Sequence, residues 1–152
     1  MELNNLIIRK ATFSDLSIVS SLINELIDSF KQLDGIDINI AIKNYHRILR
    51  DGNSHMLLAE IDNQIIGFIN FSIRQSLLHK GYSGLINELV VSKAYQDQEI
   101  GTMLLDAAIK ECKNLGCCEI EVSTESANIS AIQFYKQYGF DEKGVFFEKD
   151  MI

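Results

Sequence analysis

Residues 85–124, LINELVVSKAYQDQEIGTMLLDAAIKECKNLGCCEIEVST, decide the architecture. LINELVV is an apolar run of strand length. From Glu99 to Leu115 the residues Ile100, Met103, Leu104, Ala107, Ala108 and Leu115 share one face at helical spacing, and Gly116 stands where a helix-ending glycine belongs. CCEIEVST then alternates Cys118, Ile120, Val122 and Thr124 against Cys117, Glu119, Glu121 and Ser123, the pattern of a strand with one face better buried. Two strands joined through a helix pair in parallel, with a right-handed connection. A ligand then sits most naturally at the carboxyl end of the pair, beside the helix N-terminus. The turn SKAYQDQEIG aims free amides and the positive end of a helix dipole at that place, so it is a candidate anion site. Two carboxylates, Asp97 and Glu99, stand inside it.

Upstream, NLIIRKA suits a strand, and TFSD is a capping-box variant that opens a helix with Leu16, Val19, Leu22, Ile23, Leu26, Ile27 and Phe30 on its apolar face. QLDGIDIN breaks that helix, and a second is predicted from Ile40 to Leu49, ending at RDGNS. HMLLAEI and IIGFINFSI flank the short polar turn DNQ as a β-hairpin, and QSLLHKGYSG is a loop. Downstream, Asn128 can cap a last helix through Tyr138, stopped by Gly139, and GVFFEKDMI is predicted to be a closing strand. The whole is an α/β chain, a mixed sheet flanked by about four helices, expected to form one domain over residues 1–152.

Composition bounds the function. The chain has 152 residues, 47% of them hydrophobic and 23% charged, as in ordinary folded proteins. Its apolar runs fall far short of the roughly 20 residues of a membrane span, and no leader pattern opens it, so a cytoplasmic protein with no membrane partner is expected. Lys+Arg 14 against Asp+Glu 21 gives a net charge of -7, which argues against nucleic-acid binding and favours a cationic partner or mere solubility. Cys112, Cys117 and Cys118 suit neither a disulfide framework nor a metal knuckle and are expected to be reduced and mostly buried. His46, His55 and His79 lack ligand spacing, so no metal is expected.

Residues 123–140, STESANISAIQFYKQYGF, carry a second motif. With them the chain resembles the GNAT superfamily of N-acetyltransferases, which move an acetyl group from acetyl-CoA to an amine. The family's phosphate motif, Q/R-x-x-G-x-G/A, falls on Gln96, Asp97, Gln98, Glu99, Ile100 and Gly101. Its later signature falls on Asn128, Ala131, Tyr135, Gly139 and Phe140, and the order of elements matches across essentially the whole chain. The resemblance implies acetyl-CoA as cosubstrate, held by Leu89, Val90 and Val91 on the strand, by Gln96 to Gly101 and Thr102 in the turn, and by Asn128 and Tyr135. Asp97 and Glu99 depart from it, since relatives commonly carry glycine there. The binding groups are main-chain amides, so the departure matters only where positive φ is needed or a carboxylate points at the pyrophosphate.

The resemblance makes Tyr135 the general acid that protonates the departing thiolate, whose ordinary pKa is about 8.5. The competing account is a helix tyrosine packed on Phe134 and Phe140. An amine with a pKa near 10 needs a base, and Glu88 is the candidate. Asn87 stands where relatives often show glutamate, and strand alternation would send Asn87 and Glu88 to opposite faces. His79 and His46 are weaker candidates. A backbone N–H at Val90 or its neighbour would stabilise the oxyanion. Direct transfer in one ternary complex to a small-molecule or peptide amine is expected, with no thiol carrier. A non-catalytic GNAT-like domain sensing CoA is the alternative, and a longer acyl-CoA a third. The first two helices and QSLLHKGYSG would select the acceptor. Glu25, Asp28, Asp34 and Asp37 near the first helix end either attract a cation or form a solvated face. The resemblance also allows a homodimer.

Overall fold

The computed structural model describes residues 3–29 and 36–152 and divides into two compact units, Met1–Glu121 and Val122–Ile152. The first holds β1 (Leu6–Lys10), α1 (Leu16–Ser29), α2 (Ile38–Arg50), β2 (Ser54–Ile61), β3 (Gln64–Arg74), β4 (Tyr82–Val91), α3 (Ile100–Asn114) and all but the last residue of β5 (Cys117–Val122). The second holds α4 (Ile129–Tyr138) and the segment after it. Phe30 and Asp34 lie outside the described residues.

The strands form one mixed sheet in the order β1-β2-β3-β4-β5, antiparallel from β1 through β4. Tyr82 N–H donates to Gly116 O at 3.2 Å, and a methyl placed on Gly84 would touch Ile120, so β4 and β5 advance together as the helical crossover requires. The hairpin between β2 and β3 turns on Asp62 (φ 48°) and Asn63 (φ 64°), both left-handed, as a two-residue turn between twisted strands demands.

Each sheet face has its own cover. Val19 and Leu22 of α1 and Tyr45 of α2 pack on Met56, Leu58, Phe68 and Val90. The buried stripe of α3, Leu104, Leu105, Ala108 and Cys112, lies over the other face. That approach is close at Gly84, where an added Cβ would stand 2.8 Å from Cys112 Sγ. α2 begins at Ile38, two residues earlier than predicted, because Asp37 caps it by accepting from Asn39 N–H at 2.8 Å.

Three expectations are corrected. Residues 140–152 carry no strand, and Val145, Phe146 and Phe147 are exposed; β propensity makes a strand only where a ladder partner exists. The two faces of β5 are not sharply divided, since Cys118 and Glu119 are both exposed. Accordingly Cys112 is buried but Cys117 is half-buried and Cys118 exposed. Among the described residues no helix is long and apolar enough to cross a membrane.

Candidate active site

The turn from β4 into α3 begins with a short 3-10 turn, Lys93–Tyr95, and then reverses direction through Asp97 at φ 62° and Glu99 at φ 64°. Both residues therefore occupy the left-handed conformation that glycine adopts without strain. Positive φ is thus what the motif positions require, and acids meet the requirement. Both side chains are exposed, and Glu99 makes no side-chain capping bond although it is the N-cap of α3. The first α-helical bond of α3 runs from Met103 N to Glu99 O, so the amides of Ile100, Gly101 and Thr102 have no intrahelical acceptor. Amides freed beside left-handed residues at a helix N-terminus form an anion-binding concavity. Gln96 and Gln98 brace the turn through Nε2 donations to Val91 O (3.3 Å) and Ala94 O (3.5 Å).

From the other side, Glu25 of α1 accepts from Ser92 Oγ at 3.2 Å and from the Lys93 N–H. It belongs to the base of the turn and not to a solvated acidic face. Leu22, Glu25, Val90, Ser92 and Gln96 help enclose a void of about 30 Å³ there, room for roughly one water.

β4 departs from regular alternation. Its register against β3 runs Asn70↔Glu88 and then Phe71↔Ile86, which leaves Asn87 as an extra residue, a β-bulge. Asn70 Nδ2 donates to the Glu88 carboxylate at 2.5 Å, and Asn87 Nδ2 to Ser72 Oγ at 3.4 Å. Asn70 and Ser72 are two apart on β3 and share a face, so Glu88 and Asn87 share it too, beside Val90 on the side covered by α1 and α2. The expectation that alternation separates Asn87 from Glu88 fails because the bulge adds a residue between them and their partners. Solvent reaches Glu88, yet the surrounding protein raises its pKa by desolvation, partly offset by the Asn70 bond. His79 instead pairs with Glu119 at 2.9 Å, and His46 stacks on Phe13.

In the second unit Asn128 caps α4, its Oδ1 accepting from Ala131 N–H at 3.2 Å. Tyr135 stands edge-on to Phe134 and Phe140, with centroids 5.1 and 5.5 Å away. Burial raises its pKa, so its hydroxyl stays protonated at neutral pH.

The chain is similar to known proteins in sequence and in fold. The model of the acetyltransferase (GNAT) family matches residues 19–140. The chain belongs to the GNAT family. It is similar to an aminoalkylphosphonate N-acetyltransferase of Salmonella typhimurium, 30% identical over 142 residues that cover 93% of this chain and 89% of that one. Streptothricin acetyltransferase A of Bacillus subtilis is 31% identical over 111 residues, 73% of this chain and 58% of that protein. The fold matches the CoA complex of the aminoglycoside N-acetyltransferase AAC(6')-Iy with TM-score 0.84 at 20% identity, covering 97% of this chain and 95% of that one. This GNAT protein is an acetyl-CoA-dependent N-acetyltransferase. Asn70 and the bulge escaped the reading of its sequence. A lone amide in the run IIGFINFSI was the signal for the first; nothing in the sequence marked the second.

Proposed function

We propose that residues 1–152 act as one catalytic domain that transfers the acetyl group directly to a primary amine in a ternary complex. The observation that carries this is the left-handed backbone at Asp97 and Glu99, which preserves a concave amide turn in spite of two acidic side chains. The turn from Gln96 to Thr102 binds the pyrophosphate through main-chain N–H groups, with Leu89, Val90 and Val91 along the acyl arm, and Asn128 is assigned to the cosubstrate by its motif position alone. Acetyl-CoA supplies the thioester. Glu88 removes the proton from the acceptor ammonium, its raised pKa bringing a carboxylate nearer the working range of a base. Tyr135 returns a proton to the departing sulfur.

A small, polar acceptor suits the amide and hydroxyl groups of Asn70, Ser72 and Asn87. Because the relative from Salmonella bears the name aminoalkylphosphonate N-acetyltransferase, 2-aminoethylphosphonate is the first amine to assay, followed by an aminoglycoside. Initial rates with both substrates varied should give intersecting lines; parallel lines would replace direct transfer with an acyl-enzyme. Tyr135→Phe should lower kcat about 100-fold or more with acetyl-CoA affinity retained, in the range of acid–base contributions. Unchanged kcat would remove Tyr135 from the mechanism.

A further inference from the structure

The polar strip on the α1/α2 side of the sheet contains a side chain that stability does not explain. Asn70 is 5% exposed, in the middle of a strand whose neighbours Ile69 and Phe71 are wholly buried. Its Nδ2 reaches Glu88, but its Oδ1 is buried and finds no partner in the protein. A buried acceptor left unpaired is unfavourable, and an aliphatic residue would avoid it. The bulge at Asn87 adds the second half of the argument. It resets the register so that Glu88, not Asn87, lies opposite Asn70. Without the extra residue the amide would face another side chain.

We propose that Asn70 is a positioning residue for acetyl transfer: its N–H aims the Glu88 carboxylate and favours the charged form, and its buried, unpartnered Oδ1 is the cost of keeping an amide there. This rests on the assignment of Glu88 as base and adds a residue from a different strand. A hydrogen bond donated to a carboxylate favours the charged form, whereas burial alone favours the neutral acid. Asn70 thereby counters the desolvation of Glu88 by the surrounding protein, keeping the base both competent to accept a proton and fixed in direction.

The test needs no known acceptor. Protein labelled with carboxyl-¹³C glutamate is titrated by NMR, and the Glu88 resonance is identified by its loss in Glu88→Gln. Asn70→Ala should raise the Glu88 midpoint by about one pH unit, a tenfold gain in proton affinity, since a bond to a charged group is lost and the desolvation by the surrounding protein remains. Asn70→Asp, the same shape with a like charge in place of the N–H, should raise it further and serves if the alanine variant fails to fold. A purely structural Asn70 would change the melting temperature and leave the midpoint where it was; that result in a folded variant overturns the proposal. The base assignment fails separately, if Glu88→Gln retains the parent's rate of acetyl transfer, and its dependence on pH, with whichever amine the parent acetylates. With Glu88 confirmed, the acid limb of kcat/KM in Asn70→Ala should shift with the NMR midpoint, and a limb that stays in place would count against positioning.

Discussion

Glu99 holds a left-handed backbone at φ 64°, ψ 7° with a long, unbranched side chain, a conformation costing an L-residue about 1–2 kcal/mol. Asp97 shares the conformation at φ 62°, and a short polar side chain tolerates it better. The cost at Glu99 is a testable quantity. Glu99→Gly and Glu99→Ala both delete the carboxylate, so comparing them isolates the backbone. The glycine variant should melt about 2–4 °C above the alanine variant, corresponding to about 1 kcal/mol after the entropy of the freer unfolded chain is subtracted. Equal melting temperatures would mean that the turn relaxes when its side chain is shortened. The motif was visible in the sequence by spacing, but its positive φ was not, because glutamate gives no warning of it.

At the scale of elements, the corner from β1 into α1 is tied by charge. Arg9 Nη1 and Nη2 donate to both oxygens of Asp15 at 2.9 and 2.8 Å, and Arg9 Nε donates to Glu60 at 2.6 Å. The Thr12 N–H also donates to Asp15, at 2.8 Å. Arg9 first, and then Thr12, hold the largely buried Asp15 carboxyl down at about 2 against the desolvation that would raise it. A carboxylate whose folded pKa is depressed contributes stability above its unfolded value near 3.8, and loses it as pH falls through 2. The contribution at neutral pH is on the order of 2 kcal/mol. Urea midpoints measured at pH 5, 3 and 2 should fall less steeply in Asp15→Asn than in the parent, from a lower starting value; parallel slopes would refute the assignment. The capping motif TFSD foretold this corner, but not its partner Arg9, which arrives from a strand through tertiary packing. The same division holds elsewhere. The β2–β3 hairpin and the β4–α3–β5 crossover were legible because turn residues and periodicity are local properties. The bulge in β4 and the missing ladder at residues 140–152 were not, because each depends on what a neighbouring strand offers.

The whole molecule poses an electrostatic problem: on the proposed reading, a chain of net charge -7 takes an anionic cosubstrate onto a turn bearing two carboxylates. The amides at the N-terminus of α3 act over a few ångströms, whereas the net charge acts over a Debye length, about 30 Å in 10 mM salt and 8 Å at 150 mM. Attraction and repulsion therefore belong to different stages of binding. Long-range repulsion slows encounter, and short-range amide contacts govern release. Stopped-flow measurement with acetyl-CoA should show the association rate rising about two- to tenfold between 10 and 150 mM salt, with dissociation nearly constant. Replacing Asp97 by Asn and Glu99 by Gln brings the net charge from -7 to -5 and removes the two charges nearest the entering phosphates. This double variant should associate faster at low salt and show a flatter dependence. An association rate that falls with salt in the parent would mean that local cations, Lys93 foremost among those near the turn, outweigh the acidic surface and steer the cosubstrate in.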